Sequence, residues 1–369
     1  ETTADGVRYT ANDVDVIIAA NILVTSRQSH GVNSLQSNST LINNGNIVAG
    51  DFTTTHYGVS FLGTGAGAIT NNKGASITAH SGIIADNGAY SIVNHGTISG
   101  MAATGVLLAS DGGDVLTNDG EIFGQLVGVG AGGNSTDGGL IQNSGLIHST
   151  QYGIQTANTA LTTTVQNSAG GMIRGDVAAI HTIVGILSLS NRGTLVGGID
   201  CEDPSAPDVV INRGKIIGDV HLGGGADIFN SGRGACGAIF GENGDDRLIS
   251  SRGKNIIVGG LDKDTMSGGA GADKFVFDDL AESAVGANRD LITDFQHNQH
   301  DKIDLHSIDA DLTSLDEAFH FIGSSRFHHT AGELRYANHI LQGDVDGDGT
   351  AEFQIHVNAA HLVKADFVL

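Results

Sequence analysis

A nine-residue repeat constrains this chain more than any other feature. Between residues 241 and 276 four nonapeptides abut without a gap: "GENGDDRLI", "SSRGKNIIV", "GGLDKDTMS" and "GGAGADKFV". Their sixth positions hold Asp246, Asn255, Asp264 and Asp273, and their eighth positions hold Leu248, Ile257, Met266 and Phe275. Two nonapeptides make one coil of strand, glycine loop, strand, glycine loop. Loops two repeats apart then stack, which places Asp246 and Asp264 on one edge and Asn255 and Asp273 on the other. Asp227, in "LGGGADIFN", lies 19 residues before Asp246 and joins the first row after a one-residue insertion.

A longer period runs through the first 232 residues. An apolar pair, an Asn-x-Gly bend and a second apolar stretch recur in "LINNGNIVAG", "SIVNHGTISG", "VLTNDGEIFG" and "LIQNSGLIHS". The asparagines that carry the pattern are Asn43, Asn72, Asn94, Asn118, Asn143, Asn167, Asn191, Asn212 and Asn230. Asn and Gly tolerate positive φ, so each marks a sharp bend between short strands. One such signal per coil describes parallel β-structure whose apolar faces are buried only by stacking on neighbouring coils. Asparagines stacked in this way exchange amide hydrogen bonds as a ladder. The alternative is a series of antiparallel Asn-Gly hairpins, which requires equal turn signals about every 8 to 12 residues. At the start, "DVDVIIAANILVTS" reads as strand material that caps the open end.

Composition fits this picture. The 369 residues include 55 Gly, 2 Pro and no Trp, which suits tight turns between short strands. The net charge of −23 argues against nucleic acid and anionic membrane surfaces, and suits divalent cations. No apolar run approaches the roughly 18 residues of a membrane span. The opening "ETTADGVRYT" shows no cleavable secretion signal. Cys201 and Cys236 are too few for a disulfide framework and are expected as free thiols.

The repeat loops carry the chemistry of a hard cation. Ca²⁺ takes about six to eight oxygen ligands in relaxed geometry. Glycine loops expose backbone carbonyls, and stacked aspartates supply charge. The candidate ligands are Asp227, Gly241, Gly244, Asp246, Asn255, Gly259, Gly260, Asp262, Asp264, Gly268, Gly269, Gly271 and Asp273. Like charges in a row repel, so metal binding and folding are expected to be coupled. Further on, "DVDGDGTAE" spaces Asp344, Asp346 and Asp348 as an EF-hand loop begins. Its twelfth position is Ile355 rather than Glu, which excludes a complete EF-hand and leaves a partial calcium site or a plain acidic turn.

The nonapeptides resemble the RTX consensus Gly-Gly-x-Gly-x-Asp-x-apolar-x of calcium-binding β-rolls. The segments that follow, "FVFDDLAESAVGANRDLITDFQHNQHDKIDLHSIDAD", "ELRYANHILQGDVDGDGTAEFQIHV" and "LVKADFVL", are similar to the C-terminal domain of serralysin-type secreted proteins. The resemblance covers about residues 222 to 369. It implies a parallel β-roll holding several Ca²⁺ ions. It also implies bacterial export to the extracellular space by type I secretion machinery that reads an uncleaved C-terminal signal, here Asp366-Phe367-Val368-Leu369.

No catalytic residues emerge. The chain has no His-Glu-x-x-His, no Gly-x-Ser-x-Gly and no phosphate loop. Parallel β-helices often act on polysaccharides, which leaves a lyase, epimerase or glycoside hydrolase as the alternative. Such an enzyme needs cations for uronate carboxylates and a base. Arg192 and Arg213, each following a ladder asparagine, are a thin version of the first. The acidic "GGIDCEDPSAPD", with Asp200, Glu202, Asp203 and Asp208, reads as a protruding loop. Nine of the 16 histidines lie between His297 and His361 without regular spacing, and read as exposed loop residues.

The expectation is therefore an all-β chain. Residues 1–221 form a right-handed parallel β-helix of roughly nine coils, acting as an adhesin-like module for an extracellular polysaccharide or cell-surface ligand. Residues 222–369 form a calcium-binding parallel β-roll with a C-terminal cap and secretion signal.

Overall fold

The computed structural model describes residues 5–109, 113–132, 138–311 and 317–369. The first four residues of the opening segment lie outside them. The chain divides into two units, Glu1–Asp203 with Arg213–Gly218, and Pro204–Asn212 with Asp219–Leu369. Among the described residues no helix is long and apolar enough to cross a membrane. Neither Cys201 nor Cys236 forms a disulfide.

The first unit is a parallel β-helix with three strands per coil. One coil runs Tyr90–Asn94, Thr97–Gly100, Thr104–Leu108; the next runs Val115–Asn118, Glu121–Gly124, Val127–Gly132. Each strand pairs in parallel with its counterpart one coil away, as in Ile92 with Leu116, Ile98 with Ile122 and Val106 with Val129. Side chains alternate across a strand, so each face sends one or two apolar residues inward per coil, as Val106 and Leu108 show on the third face. Ile98, Ile122, Ile147, Ile173 and Leu195 form one such column, all fully buried. A branched apolar residue at each inward position is what a core dry on three sides requires.

The bends between the first two faces hold the asparagine ladder. The Nδ2 of Asn43 donates to Asn71 Oδ1 at 2.8 Å, and the chain continues through Asn94, Asn118, Asn143, Asn167 and Asn191 at 2.7 to 2.9 Å. Each asparagine amide also donates to a backbone carbonyl of the following coil, as Asn118 does to Leu146 O. The ladder member in the second coil is Asn71, not Asn72. "NNKG", like "NSAG" at Asn167, carries one more residue before its glycine than the remaining bends, so the first Asn takes the inward corner. Asn72 donates instead to Asn44 Oδ1, on the outside.

The opening segment forms a coil rather than a cap. Asp15–Ile18 and Leu23–Ser26 pair in parallel with Thr40–Asn43 and Asn46–Ala49. Ile18 stands where later coils place asparagine, so the ladder begins one coil further on.

The second unit is a two-sided roll. One side stacks Val209–Asn212, Ile228–Asn230, Arg247–Ile249, Thr265–Ser267, Asp290–Ile292 and Phe353–Val357. The other stacks Val220–His221, Ile239–Asn243, Ile256–Leu261, Lys274–Val276, Lys302–Asp304 and Phe367–Val368. Phe229, Leu248, Met266 and Ile292 fill one inner column, and Val220, Ile239, Ile257, Phe275 and Ile303 the other, all fully buried. Glu333–Ala337, Ile340–Asp344 and Phe353–Val357 add an antiparallel meander at the C-terminal end.

Candidate metal centre

The smallest unit of the site is a carboxylate two residues ahead of an inward apolar residue. Because side chains alternate, that carboxylate also faces inward, where the strand gives way to its loop. The repeats place Asp227 ahead of Phe229, Asp246 ahead of Leu248 and Asp264 ahead of Met266. Each Asp Oδ1 accepts from the backbone N–H of the counterpart one coil earlier. Asp227 N donates to Asp246 at 2.8 Å, and Asp246 N to Asp264 at 2.9 Å. On the opposite edge, Asn255 N donates to Asp273 at 2.9 Å, and the Asn255 amide donates to the same oxygen.

Both rows extend beyond the regular repeats. Asp264 N donates to Asp290 Oδ1 at 2.8 Å, Asp273 N to Asp301 Oδ1 at 3.0 Å, and Asp208 N to Asp227 Oδ1 at 2.6 Å. The sequence reading does not single out Asp290 or Asp301, because irregular insertions move them 26 and 28 residues from their predecessors. The signal was present: "DLI" and "DKI" keep the carboxylate two before the core residue. Asp208 likewise belongs to the first row, in "DVV". The "DCEDPSAPD" segment does not protrude as a whole, since Ala206, Asp203 and Asp208 are buried.

In five of the row aspartates one oxygen is satisfied and the other is not, whereas both oxygens of Asp301 accept backbone N–H groups, from Asp273 and Gln296. Oδ2 of Asp227, Asp246, Asp264, Asp273 and Asp290 is buried and has no hydrogen-bond partner among the described residues. In three loops this oxygen lies against the α-carbon of a glycine five residues earlier: Asp246 on Gly241, Asp264 on Gly259 and Asp273 on Gly268. A Cβ at any of these glycines would fill the cradle. Gly244 and Gly271 serve differently, since φ of +120° and +144° there is open only to glycine. Gly260 and Gly269 line the same loops, and Asp262 projects at the tip of one.

Burial is the first cause of an upward shift at every one of these carboxyls. It pushes Asp227 and Asp264 to about 7, Asp246 to about 8, Asp290 to about 9 and Asp273 to about 6. Backbone N–H donation opposes the shift, and neighbouring carboxylates add to it. A row of orphaned, inward oxygens beside open backbone fits a hard divalent cation: it lacks a positive charge, not a donor. The Asp and Gly loops could hold Ca²⁺, which would neutralise the row.

The acidic loop near the C-terminus lies apart from these rows. One ligand oxygen each from Asp344, Asp346, Asp348 and Glu352 falls within 4.8 Å of the others. Asp344 is fully buried, yet both its oxygens accept backbone hydrogen bonds, from Gly347 and Gly349. Glu352, at the ninth loop position, is the member the sequence reading omits. The C-terminal histidines are less loose than expected. His297 pairs with buried Asp366, His306 with Asp304 at 2.7 Å, and His328 with Glu333 at 2.7 Å.

Stacked parallel coils edged by inward aspartates define a β-roll of the RTX type. Residues 190–369 match the family described as peptidase M10 serralysin C terminal, and form a C-terminal domain of that kind. Such domains bind Ca²⁺ and occur in proteins exported by type I machinery. No curated protein matches the chain.

Proposed function

We propose that this is a secreted protein whose second unit folds when it meets extracellular Ca²⁺, with the β-helix serving as a binding module for a surface or matrix ligand. The observation that carries the reading is the run of buried Oδ2 atoms without partners. Asp227, Asp246, Asp264, Asp273 and Asp290 would hold the ions, with glycine carbonyls of the same loops. Asp344, Asp346 and Asp348 would add a weaker site. Cytosolic calcium is scarce, and 24 acidic against 11 basic residues after position 221 favour an open chain there. Extracellular modules bind calcium at about 10⁻⁴ to 10⁻³ M, so mass action stabilises the roll outside the cell.

An export role for the C-terminus agrees with this order of events. Asp366 is buried, and Phe367–Val368 pairs with Ile303–Asp304. A transporter can read that segment only before the roll closes. A polysaccharide lyase remains a distinct outcome of the screen below.

Far-UV circular dichroism of EDTA-treated protein should gain strand signal on addition of millimolar Ca²⁺, and an unchanged spectrum would refute the folding switch. Alginate, pectate and other acidic glycans should be retained by the immobilised protein without new reducing ends or unsaturated products. Turnover lost in Arg192→Ala or Arg213→Ala would instead establish an enzyme.

A further inference from the structure

We propose that His181, Asp200 and Glu202 form a site for a divalent transition-metal ion of the Zn²⁺ class on the β-helix, separate from the calcium rows. His181 lies on Ala178–Asn191, and its direct neighbour one coil on is Asp200 of Ile199–Cys201. Glu202, two residues beyond Asp200, returns to the same outer face, while Cys201 between them turns inward and is buried. One ligand atom from each of the three side chains falls within 4.8 Å of the other two.

The imidazole, rather than the carboxylates, points to a ligand. The His181 side chain is only 6% exposed, yet its Nε2 makes no hydrogen bond. Glu202 Oε1 approaches to 3.0 Å without hydrogen-bond geometry, and Asp200 Oδ2 stands at 3.9 Å. A buried ring nitrogen is costly to leave unpaired. The ring is also held in place. Tyr152 stacks on it at 4.3 Å, and the Gln155 amide lies 3.2 Å from Nδ1. The Gln155 atom nearest Nδ1 is the amide nitrogen Nε2. Exchanging the look-alike amide oxygen and nitrogen lets Gln155 accept from Nδ1–H, the usual second contact of a metal-binding histidine, and opens the His181 Nε2 lone pair to a metal.

The donor set selects the metal. One imidazole nitrogen and two carboxylate oxygens suit Zn²⁺, Co²⁺, Ni²⁺ or Mn²⁺, whereas Ca²⁺ prefers oxygen alone. Asp200 and Glu202 are about half exposed, at 42% and 56%. Such an ion would be reached from solvent and keep a position for water or a ligand oxygen.

The test uses the full chain with Ca²⁺ saturating. Zn²⁺ is titrated calorimetrically, and Co²⁺ is followed by its visible absorption. The double variant D200N/E202Q keeps the shape of two half-exposed side chains and removes only their charge, so circular dichroism should match that of the parent protein. Because histidines elsewhere also meet carboxylates, the readout is the difference between the two proteins. The expected result is one fewer tight Zn²⁺ equivalent, or at least tenfold weaker binding of it, with loss of the matching Co²⁺ band. His181→Gln should reproduce this. Equal stoichiometry and affinity in both proteins would overturn the proposal and leave a plain histidine–carboxylate contact. Failure of Zn²⁺ to bind the calcium-saturated parent protein would overturn it as well.

Discussion

Asp246 shows how a single residue serves folding and binding together. Its Oδ1 caps the N–H of Asp227, and its Oδ2 sits buried against Gly241 with nothing to bond. The first contact is local and persists without metal. The second makes the row unstable as a set of charges. In chelated protein these carboxyls have folded pKa values raised to between about 6 and about 9. The folded state then binds more protons than the unfolded chain, whose aspartates titrate near about 4. Protonation therefore stabilises the roll below about pH 4, and that stability is lost as pH rises through about 6 to 9. The strand signal of the second unit in EDTA should accordingly fall from acid to alkaline pH, and millimolar Ca²⁺ should remove the dependence. A roll that strengthens with rising pH in EDTA would contradict this. At this scale the sequence was readable wherever spacing was regular. Asp246 and Asp264 announce themselves by period, whereas Asp290 and Asp301 are found only by their place two before a core residue. Asn71 was misread as Asn72 because an inserted residue shifts the bend, and neighbouring asparagines look alike until one is known to face inward.

Apart from Tyr152–Asn167 and Ala178–Asn191, the strands have six residues or fewer, too short to stand alone, so each element depends on the coil before and after it. That dependence is why periodicity revealed the architecture so fully. The inward column is visible in Ile98, Ile122 and Ile147, each four residues after its ladder asparagine, while the longer bend after Asn167 sets Ile173 six residues on. The opening segment escaped this logic. It has no Asn-Gly signal, and Ile18 occupies the ladder position, so it reads as a cap although its strands pair as a full coil. The terminal strand Phe367–Val368 depends on its neighbours in the same way. Phe367 is buried, pairs with Ile303 and packs on Phe321 with ring centroids 4.9 Å apart. Phe367→Ala should destabilise the calcium-loaded second unit by about 3 kcal/mol, the usual cost of deleting a buried ring. The urea midpoint of that unit's transition, measured with Ca²⁺ saturating, checks it. A midpoint unchanged from the parent would mean that the terminal strand is not docked in solution.

The whole molecule combines two solutions to one problem, the polar groups that a solenoid must turn inward at every bend. The first unit uses neutral amides. Each ladder asparagine donates to the next and to a backbone carbonyl, so the column is satisfied by the chain itself. The second unit uses aspartates, which accept from the backbone, and five of them leave one buried oxygen without a partner among the described residues. Two columns of similar geometry thus differ in what completes them. The sequence gives this away in a single substitution, Asn in the longer repeat and mostly Asp in the shorter. Removal of calcium should therefore act on one unit and spare the other. In hydrogen–deuterium exchange with EDTA, Arg247–Ile249, Ile256–Leu261 and Thr265–Ser267 should lose protection by several orders of magnitude. Thr97–Gly100, Glu121–Gly124 and Leu146–Ser149 should exchange as slowly as in millimolar Ca²⁺. Equal loss in both sets would show that the amide ladder does not sustain the β-helix unaided. Protection kept in both would show that the aspartate rows close without a cation, and the folding switch would fail with them.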